Sequence, residues 1–337
     1  MLNNKTLLIT GGTGSFGTHC AIHLLKNYKL DKLIIFSRDE LKQYNLSNLL
    51  KKIKSKTKIR FFIGDVRDKE RLKLAFDSVD YVIHAAALKQ IPTAEYNPQE
   101  CIRTNINGAE NVIIAAIEKK VKKVIALSTD KACNPINLYG ATKLAADKLF
   151  VAGNTLVGKI KTPTFSVVRY GNVINSRGSV IPLFKNLYKS KKKEFPITHK
   201  EMTRFFITLD QSVKFVLASF KRMKGGEIFI PKLPTIKIVD IVKAIDKNAK
   251  IKMVGIRPGE KIHELLTSKD EYINTLSFKD HYVIIPTLYS SIKKYLTNPL
   301  MEKGRKTSEG FEYVSSNKEA RLGVKEIKKI LNQSVQN

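Results

Sequence analysis

The chain has 337 residues, 43% of them hydrophobic and 27% charged, which is enough apolar material for one large domain or two closely joined ones. No apolar run is long enough to span a bilayer, and the opening MLNNKTLLITGG passes from a short apolar stretch directly into glycines. The expectation is therefore a cytoplasmic protein with no membrane partner. Three cysteines, Cys20, Cys101 and Cys133, stand at unrelated spacings and exclude a disulfide framework.

The net charge is +30, from 60 Lys+Arg against 30 Asp+Glu. Most lysines are scattered, and the one tight run is Lys189 with Lys191 to Lys193. No aromatic residues interleave with them as a nucleic-acid stacking platform requires. The reading is therefore an anionic small-molecule substrate, drawn in by long-range steering, with no nucleic-acid partner.

In chain order, LLIT (7–10) is a short apolar strand before glycines, and helix-like sequence follows to residue 26. LIIF (33–36) is the next strand, with a helix over roughly 39–54. IRFFIG (59–64), YVIHAA (81–86), KVIALS (123–128) and FSVVRYG (165–171) are four more strands separated by helical stretches. Continuous apolar strands alternating with helices predict an α/β fold, a doubly wound parallel sheet of Rossmann type. After residue 170 prolines punctuate shorter elements. The expected division is a nucleotide-binding domain over 1–170, with a returning segment near 205–232 that includes EIFIP (227–231), and a smaller interleaved substrate region over 171–337. The polar tail after 314 is expected to be loosely held.

The turn after the first strand reads Thr10-Gly11-Gly12-Thr13-Gly14-Ser15-Phe16-Gly17. Glycines at 11, 14 and 17 let the backbone turn and approach a pyrophosphate, and the helix N-terminus beyond offers free N–H groups. A glycine cluster alone often only makes a turn. Here it follows a strand and opens a helix, the context a dinucleotide site needs. The second strand ends Ser37-Arg38, where an NAD site would place an acid. Arg38 can pair with a 2′-phosphate, and Lys42 adds charge one turn on, so the expected cofactor is NADP. Asp39, Glu40 and Leu41 follow, the two acids placed to cap the next helix. Asp65-Val66 are placed at the adenine edge, and Ala85-Ala86-Ala87 are small enough for a cofactor to lie across them or for close packing.

Tyr139 and Lys143 stand at i and i+4, on one face of a helix. An ammonium beside a phenol lowers its pKa, which makes Tyr139 a base for an alcohol being oxidised. Thr129, ten residues earlier and after the fifth strand, can bond the same substrate hydroxyl, and Asn105 is placed to help hold Lys143. Asp130 and Lys131 sit at the carboxyl end of a parallel strand, where ligands bind in such sheets. His19 and His23, also i and i+4, lack the glutamate of a metal motif, and no metal is expected.

The glycine turn, Ser37-Arg38, Asp65, Thr129, Tyr139 and Lys143 resemble the extended short-chain dehydrogenase/reductases. With Ser37-to-Lys42, Gly64-to-Asp68, His84-to-Lys89, Thr129-to-Ala132, Arg169-to-Val173, Met202-to-Phe205 and Arg257-to-Lys261, nearly the whole chain is similar to the inverting UDP-N-acetylglucosamine 4,6-dehydratases. The resemblance implies a hydro-lyase of pseudaminic acid synthesis, serving surface glycans or flagellin glycosylation. It implies tightly bound NADP regenerated in each turnover, and a homo-oligomer, dimer or hexamer. The implied product is a UDP-2-acetamido-2,6-dideoxy-β-L-arabino-hexos-4-ulose. By the same resemblance Tyr139 takes the O4 proton, Lys131 takes the C5 proton and Asp130 protonates the leaving 6-hydroxyl. Retaining relatives show an acidic pair at the last two positions, so Lys131 points to inversion at C5. A lysine base must be neutral, and burial with nearby Lys143 is expected to lower its pKa. Lys89, Asn172, Arg177, Ser179, Val180, Arg204, Arg257 and Glu260 match substrate positions of the family, with Lys89 shared between cofactor and sugar. Gln90 departs from the histidine common there. A C4 or C5 epimerase of the same superfamily, an NADP-binding scaffold and a basic nucleic-acid binder are the alternatives.

Overall fold

Strands buried on both faces read as unbroken apolar runs, and the runs of the first half form one sheet in that way. The computed structural model describes residues 1–158, 162–174, 176, 179–192, 194–287 and 291–333. Its first half runs β1 (Thr6–Thr10), α1 (Ser15–Asn27), β2 (Lys32–Ser37), α2 (Glu40–Leu50), β3 (Lys58–Ile63), α3 (Lys69–Ala75), β4 (Tyr81–His84), α4 (Ile91–Tyr96), α5 (Pro98–Ile102), α6 (Gly108–Glu118), β5 (Lys123–Thr129), α7 (Leu138–Leu156) and β6 (Thr164–Tyr170). Every residue of β1 and β4 is buried. β3 differs because it is the edge strand: Phe62 is covered while Ile63 is exposed.

The second half adds β7 (Asn172–Val173), α8 (Val180–Lys189), β8 (Glu194–Ile197), β9 (Thr203–Ile207), α9 (Leu209–Arg222), β10 (Ile228–Pro231), β11 (Thr235–Lys237), α10 (Ile238–Ile245), β12 (Lys250–Met253), β13 (Leu265–Thr267), β14 (Thr275–Ser277), β15 (His281–Ile284), α11 (Ile292–Tyr295), β16 (Arg305–Lys306), β17 (Tyr313–Val314) and α12 (Val324–Gln333). Among the described residues ten strands form one sheet, in the order β16-β14-β15-β10-β6-β5-β4-β1-β2-β3. The strands from β3 to β10 pair in parallel. β15, β14 and β16 extend the sheet antiparallel. β10 thus lies beside β6, and three strands of the region after 171 also belong to this layer.

The chain runs outward through β1, β2 and β3, then crosses back to β4, β5 and β6. The crevice where this order reverses lies above the carboxyl ends of β1 and β4, the place where doubly wound sheets bind ligands. A smaller lobe closes over it. It contains β7-β9-β11 and β8-β12, with α8, α10 and α12 around a separate core that includes Phe184, Phe195, Phe206, Ile241 and Val242.

The tail expected to be loose is docked. Thr235 N–H donates to Ala320 O (2.8 Å) and Leu322 N–H donates to Thr235 O (2.9 Å). In α12, Ile327 and Leu331 are i and i+4 and both are buried in the small core, with Val324 and Ile330 packed against it on the same helix. No helix among the described residues is long and apolar enough to cross a membrane.

Candidate active site

Two adjoining cavities of 540 Å³ and 260 Å³ fill the crevice and share Gly11, Gly14, Ala85 and Ala87 as walls. The shape is set by the glycine turn. Gly11 has φ +64°, and a Cβ there would lie 2.8 Å from Ala86 N. Gly14 caps α1 without a side chain, so no capping side chain stands between the helix N-terminus and the cavity. Ser15, Phe16 and Gly17 line the larger cavity and Thr13 the smaller.

The smaller cavity is lined by Ser37, Arg38, Asp39, Lys42, Asp65, Val66 and Ala86. Ser37 is held by Gln43, a buried residue that belongs to no motif. Its Nε2 donates to Ser37 O, Ser37 Oγ and Phe62 O at 3.0–3.1 Å. Arg38 Nη1 lies 3.5 Å from Asp65 Oδ2, and Arg67 holds the same carboxylate at 2.7 Å. Burial opposes the charge on Asp65, but Arg67 and Arg38 prevail and its pKa is lowered. Asp39 caps α2, accepting from Lys42 N–H at 2.8 Å. Glu40 and Leu41 do not line either cavity. They lie on the exposed side of α2, with Leu41 67% exposed, because the first turn of the helix rotates them outward.

Thr129, Asp130, Lys131, Tyr139 and Lys143 all line the larger cavity. They meet because α7 starts against the turn after β5. A Cβ on Gly140 would collide with the Lys131 carbonyl oxygen, so glycine is what allows this approach. Asn137 caps α7 by accepting from Gly140 N–H (2.8 Å), and its Nδ2 donates to Gly259 O (2.8 Å). It thereby ties the helix start to the turn carrying Arg257 and Glu260.

The electrostatics correct two expectations. Packing around Tyr139 pushes its pKa up to about 12, against Lys131 and a hydrogen bond from Thr129, so the chain's own groups keep it a phenol. Lys143 is itself buried, which lowers its pKa against Asp147 and Cys101. The pKa of Lys131 is raised, not lowered. Burial works against the ammonium, but Asp130 and Glu264 outweigh it, each with a carboxylate oxygen 3.1 Å from Nζ. Asp130 moves the other way, its pKa raised by burial, and Thr129 Oγ1 donates to its Oδ1 at 2.8 Å.

Asn105, expected to help hold Lys143 through backbone or water, makes its direct bonds elsewhere. It lies in a π-helical turn over Arg103–Asn107, and its hydrogen bonds run to Leu88 N–H (2.8 Å), Leu88 O (2.9 Å) and Thr142 Oγ1 (3.0 Å). It straps the loop after β4 to α7 and steadies Lys143 only through its neighbour. Beneath Lys143, buried Asp147 accepts from Ser128 Oγ (2.8 Å) and stands 3.4 Å from Arg169, which is 0% exposed and also bonds Leu266 O and Glu271.

On the substrate side, Lys89, Gln90, Asn172, Ser179, Arg257 and Glu260 line the larger cavity. Asn172 Oδ1 and Ser179 Oγ are buried and have no hydrogen-bond partner among the described residues, as expected of groups that meet a polar ligand. Arg204 does not reach the cavity. It is buried behind the wall, donating to Thr203 O and Ile262 O and pairing with Glu260 (3.5 Å) and Glu264 (3.6 Å). Val180 begins α8 and packs on the small core instead. Arg177 lies outside the described residues. Among those residues no three His, Cys, Asp or Glu gather as metal ligands; His23 instead faces Asp210 at 3.7 Å.

Residues 7–286 match the family described as polysaccharide biosynthesis protein. The chain belongs to that family. It is 54% identical, over 99% of both chains, to a Campylobacter jejuni protein named UDP-N-acetylglucosamine 4,6-dehydratase (inverting). It is 42% identical, over 98% of this chain and 96% of the relative, to a Rickettsia akari protein named UDP-glucose 4-epimerase. Among solved structures it resembles Pen from Bacillus thuringiensis, with a TM-score of 0.88, 35% identity and 99% of each chain covered. The relatives of this chain thus carry names from two reaction classes, and the residues around the cavity distinguish them.

Proposed function

We propose that the chain is an inverting UDP-N-acetylglucosamine 4,6-dehydratase, a hydro-lyase that works with bound NADP. The observation that carries this reading is the Asp130-Lys131 pair at the cavity wall beside Tyr139. An epimerase has to move a hydride at one carbon and needs no acid for a leaving hydroxyl. A dehydratase needs a base at C5 and an acid at O6, and an adjacent amine and carboxyl sharing a hydrogen bond supply both. The 54% identical relative bears the same name.

The residues present fit a nicotinamide dinucleotide. Gly11 and the N-terminus of α1 make a pyrophosphate cradle, and Thr104 Oγ1, at the smaller cavity, is buried without a partner among the described residues. Arg38, Lys42 and the absence of an acid at Ser37 favour the 2′-phosphate of NADP. When bound, the nicotinamide supplies hydride acceptance from C4 and its return to C6.

The chain's own residues do the rest. Thr129 and Tyr139 meet the O4 hydroxyl, and Tyr139 would take its proton as the phenolate, the form that the positive charge of a bound oxidised nicotinamide would favour. Lys143, fixed over Asp147, supplies positive charge beneath the site. The resulting 4-ketone acidifies C5. Lys131 first passes a proton to Asp130 across their 3.1 Å hydrogen bond and then takes the C5 proton as a neutral amine, while Asp130, whose pKa is raised by burial, delivers the proton it received to the departing 6-hydroxyl. Lys89, Asn172, Ser179, Arg257 and Glu260 would hold the UDP-sugar, with Arg257 suited to the diphosphate. The protein acts in the cytoplasm as a homo-oligomer. Incubation with UDP-N-acetylglucosamine should give a product lighter by one water; a product of unchanged mass would turn the reading to the epimerase.

A further inference from the structure

The reacting cluster contains a third carboxylate that the motif residues do not account for. Glu264 directly precedes β13, 133 residues from Lys131, yet its Oε1 lies 3.1 Å from Lys131 Nζ. It is 1% exposed. Its backbone is pinned on both sides, with its N–H donating to Ser315 Oγ (2.9 Å) and its carbonyl accepting from Ser315 N–H (2.8 Å). Ser315 Oγ is in turn 2.7 Å from Thr203 Oγ1. A carboxylate mounted this way has little freedom to leave the amine. Its Oε2, like Asp130 Oδ2, is buried and finds no hydrogen-bond partner among the described residues.

The two carboxylates around Lys131 are driven in opposite directions. Burial opposes the charge on Glu264, but Lys131 and Arg204 prevail and its pKa is lowered. Burial raises the pKa of Asp130. Two acids whose environments separate their pKa values take different roles, one the lasting anion and one the proton carrier.

We propose that Glu264 is a positioning residue for the elimination: it holds the Lys131 amine at the cavity wall and stabilises the ammonium that forms as Lys131 takes the C5 proton. This rests on the dehydratase reading above. Lys131 first gives a proton to Asp130 across their 3.1 Å hydrogen bond, which leaves a neutral amine beside a carboxylic acid; the C5–H bond then breaks and its proton goes to that amine. The released electron pair forms the C5–C6 double bond, the C6–O bond breaks, and the hydroxyl leaves as water with the Asp130 proton. The cluster keeps the same total charge throughout, but it passes from acid and amine to carboxylate and ammonium. Glu264 is the anion that meets the new positive charge without itself changing protonation. A fixed charge aimed at a charge that develops during reaction acts mainly in the transition state. The carboxylate that orients and stabilises a catalytic imidazolium in serine hydrolases works by the same logic.

Glu264→Gln keeps the shape and a hydrogen bond but loses the charge. With the full-length protein, its bound cofactor and UDP-N-acetylglucosamine in D2O, C5 deuterium incorporation should slow by on the order of 100-fold. Reduced-cofactor absorbance should accumulate, because ketone formation does not depend on Glu264. The groups facing Lys131 are Asp130, Glu264, Arg204 and Tyr139, and those facing Glu264 are Lys131, Arg204 and Lys261. Removing the Glu264 charge lowers the pKa of Lys131, so the limb of exchange that rises with pH should move to lower pH. Glu264→Asp keeps the charge and should retain more exchange than E264Q. The inference is overturned if ketone formation and exchange fall by one common factor, if E264Q matches the unaltered protein, or if E264D is the slower variant. If the unaltered protein releases no water, the dehydratase reading itself fails, before any variant is compared.

Discussion

At the scale of single residues, the side chains that bear chemistry are those whose identity is distinctive in place. Arg38 stands where an NAD site would hold an acid, and the structure puts it at the wall of the smaller cavity beside Asp65. A charge-assisted contact to a 2′-phosphate contributes about 1.5–3 kcal/mol, so Arg38→Ala should weaken NADP binding by about 10–100-fold and leave NAD binding nearly unchanged. Fluorescence titration with both cofactors checks this, and equal affinity of the unaltered protein for the two would contradict it. Lys131, Asp130, Tyr139 and Lys143 were legible as a set because a helical spacing and a strand end bring them together. Glu264 and Gln43 were not, since each reaches its partner from a distant element and belongs to no motif. The charge on Lys131 was not legible for the same reason: the sequence shows one neighbouring carboxylate, and the fold supplies the second. Arg204 could be read as an arginine in a motif, but whether it faces ligand or core depends on burial that spacing does not encode.

At the scale of elements, the apolar runs of the first half carried enough information to place β1 to β6 in a parallel sheet, and the run at 227–231 enough to expect β10 to rejoin it, because strands buried on both faces need no alternation. The short strands β14, β15 and β16 carry no such run and mix Ser, His, Arg and Lys with apolar residues, so their return to the sheet was not legible. The junction that matters most is α7 against the turn at 130–132. Gly140 is required there by proximity to the Lys131 carbonyl. Gly140→Ala should force the helix start away and destabilise the protein by about 1–3 kcal/mol. It should also lower turnover more than substrate binding, since Tyr139 and Lys131 move apart while the UDP-facing wall stays. Urea unfolding together with steady-state kinetics measures both. A variant of unaltered stability and rate would show that the close approach is not needed.

At the scale of the whole molecule, the two lobes meet over the crevice, and the tail belongs to the smaller one. Its polar composition hid this, because the apolar face of α12 is only Val324, Ile327, Ile330 and Leu331 on a helix otherwise of charged and amide residues. Ending the chain after residue 322 would uncover the core around Ile241 and Val242. Two buried aliphatic side chains contribute about 1.5–3 kcal/mol each, so the truncated chain should melt at lower temperature and lose affinity for the nucleotide sugar before it loses the cofactor. Unchanged melting and unchanged KM would mean that α12 supports neither.

On the function proposed above, a nicotinamide cofactor is borrowed and returned within one turnover, so that the net reaction is loss of water with inversion at C5. Proton NMR of the product formed from UDP-N-acetylglucosamine in D2O tests it most directly, because one spectrum reads the 6-methyl group, the deuterium at C5 and the configuration there. The expected result is a 4-keto-6-deoxy sugar of β-L-arabino configuration carrying deuterium at C5. A 4-epimer that retains its 6-hydroxyl, or a 4-keto-6-deoxy product with C5 configuration retained, would contradict it.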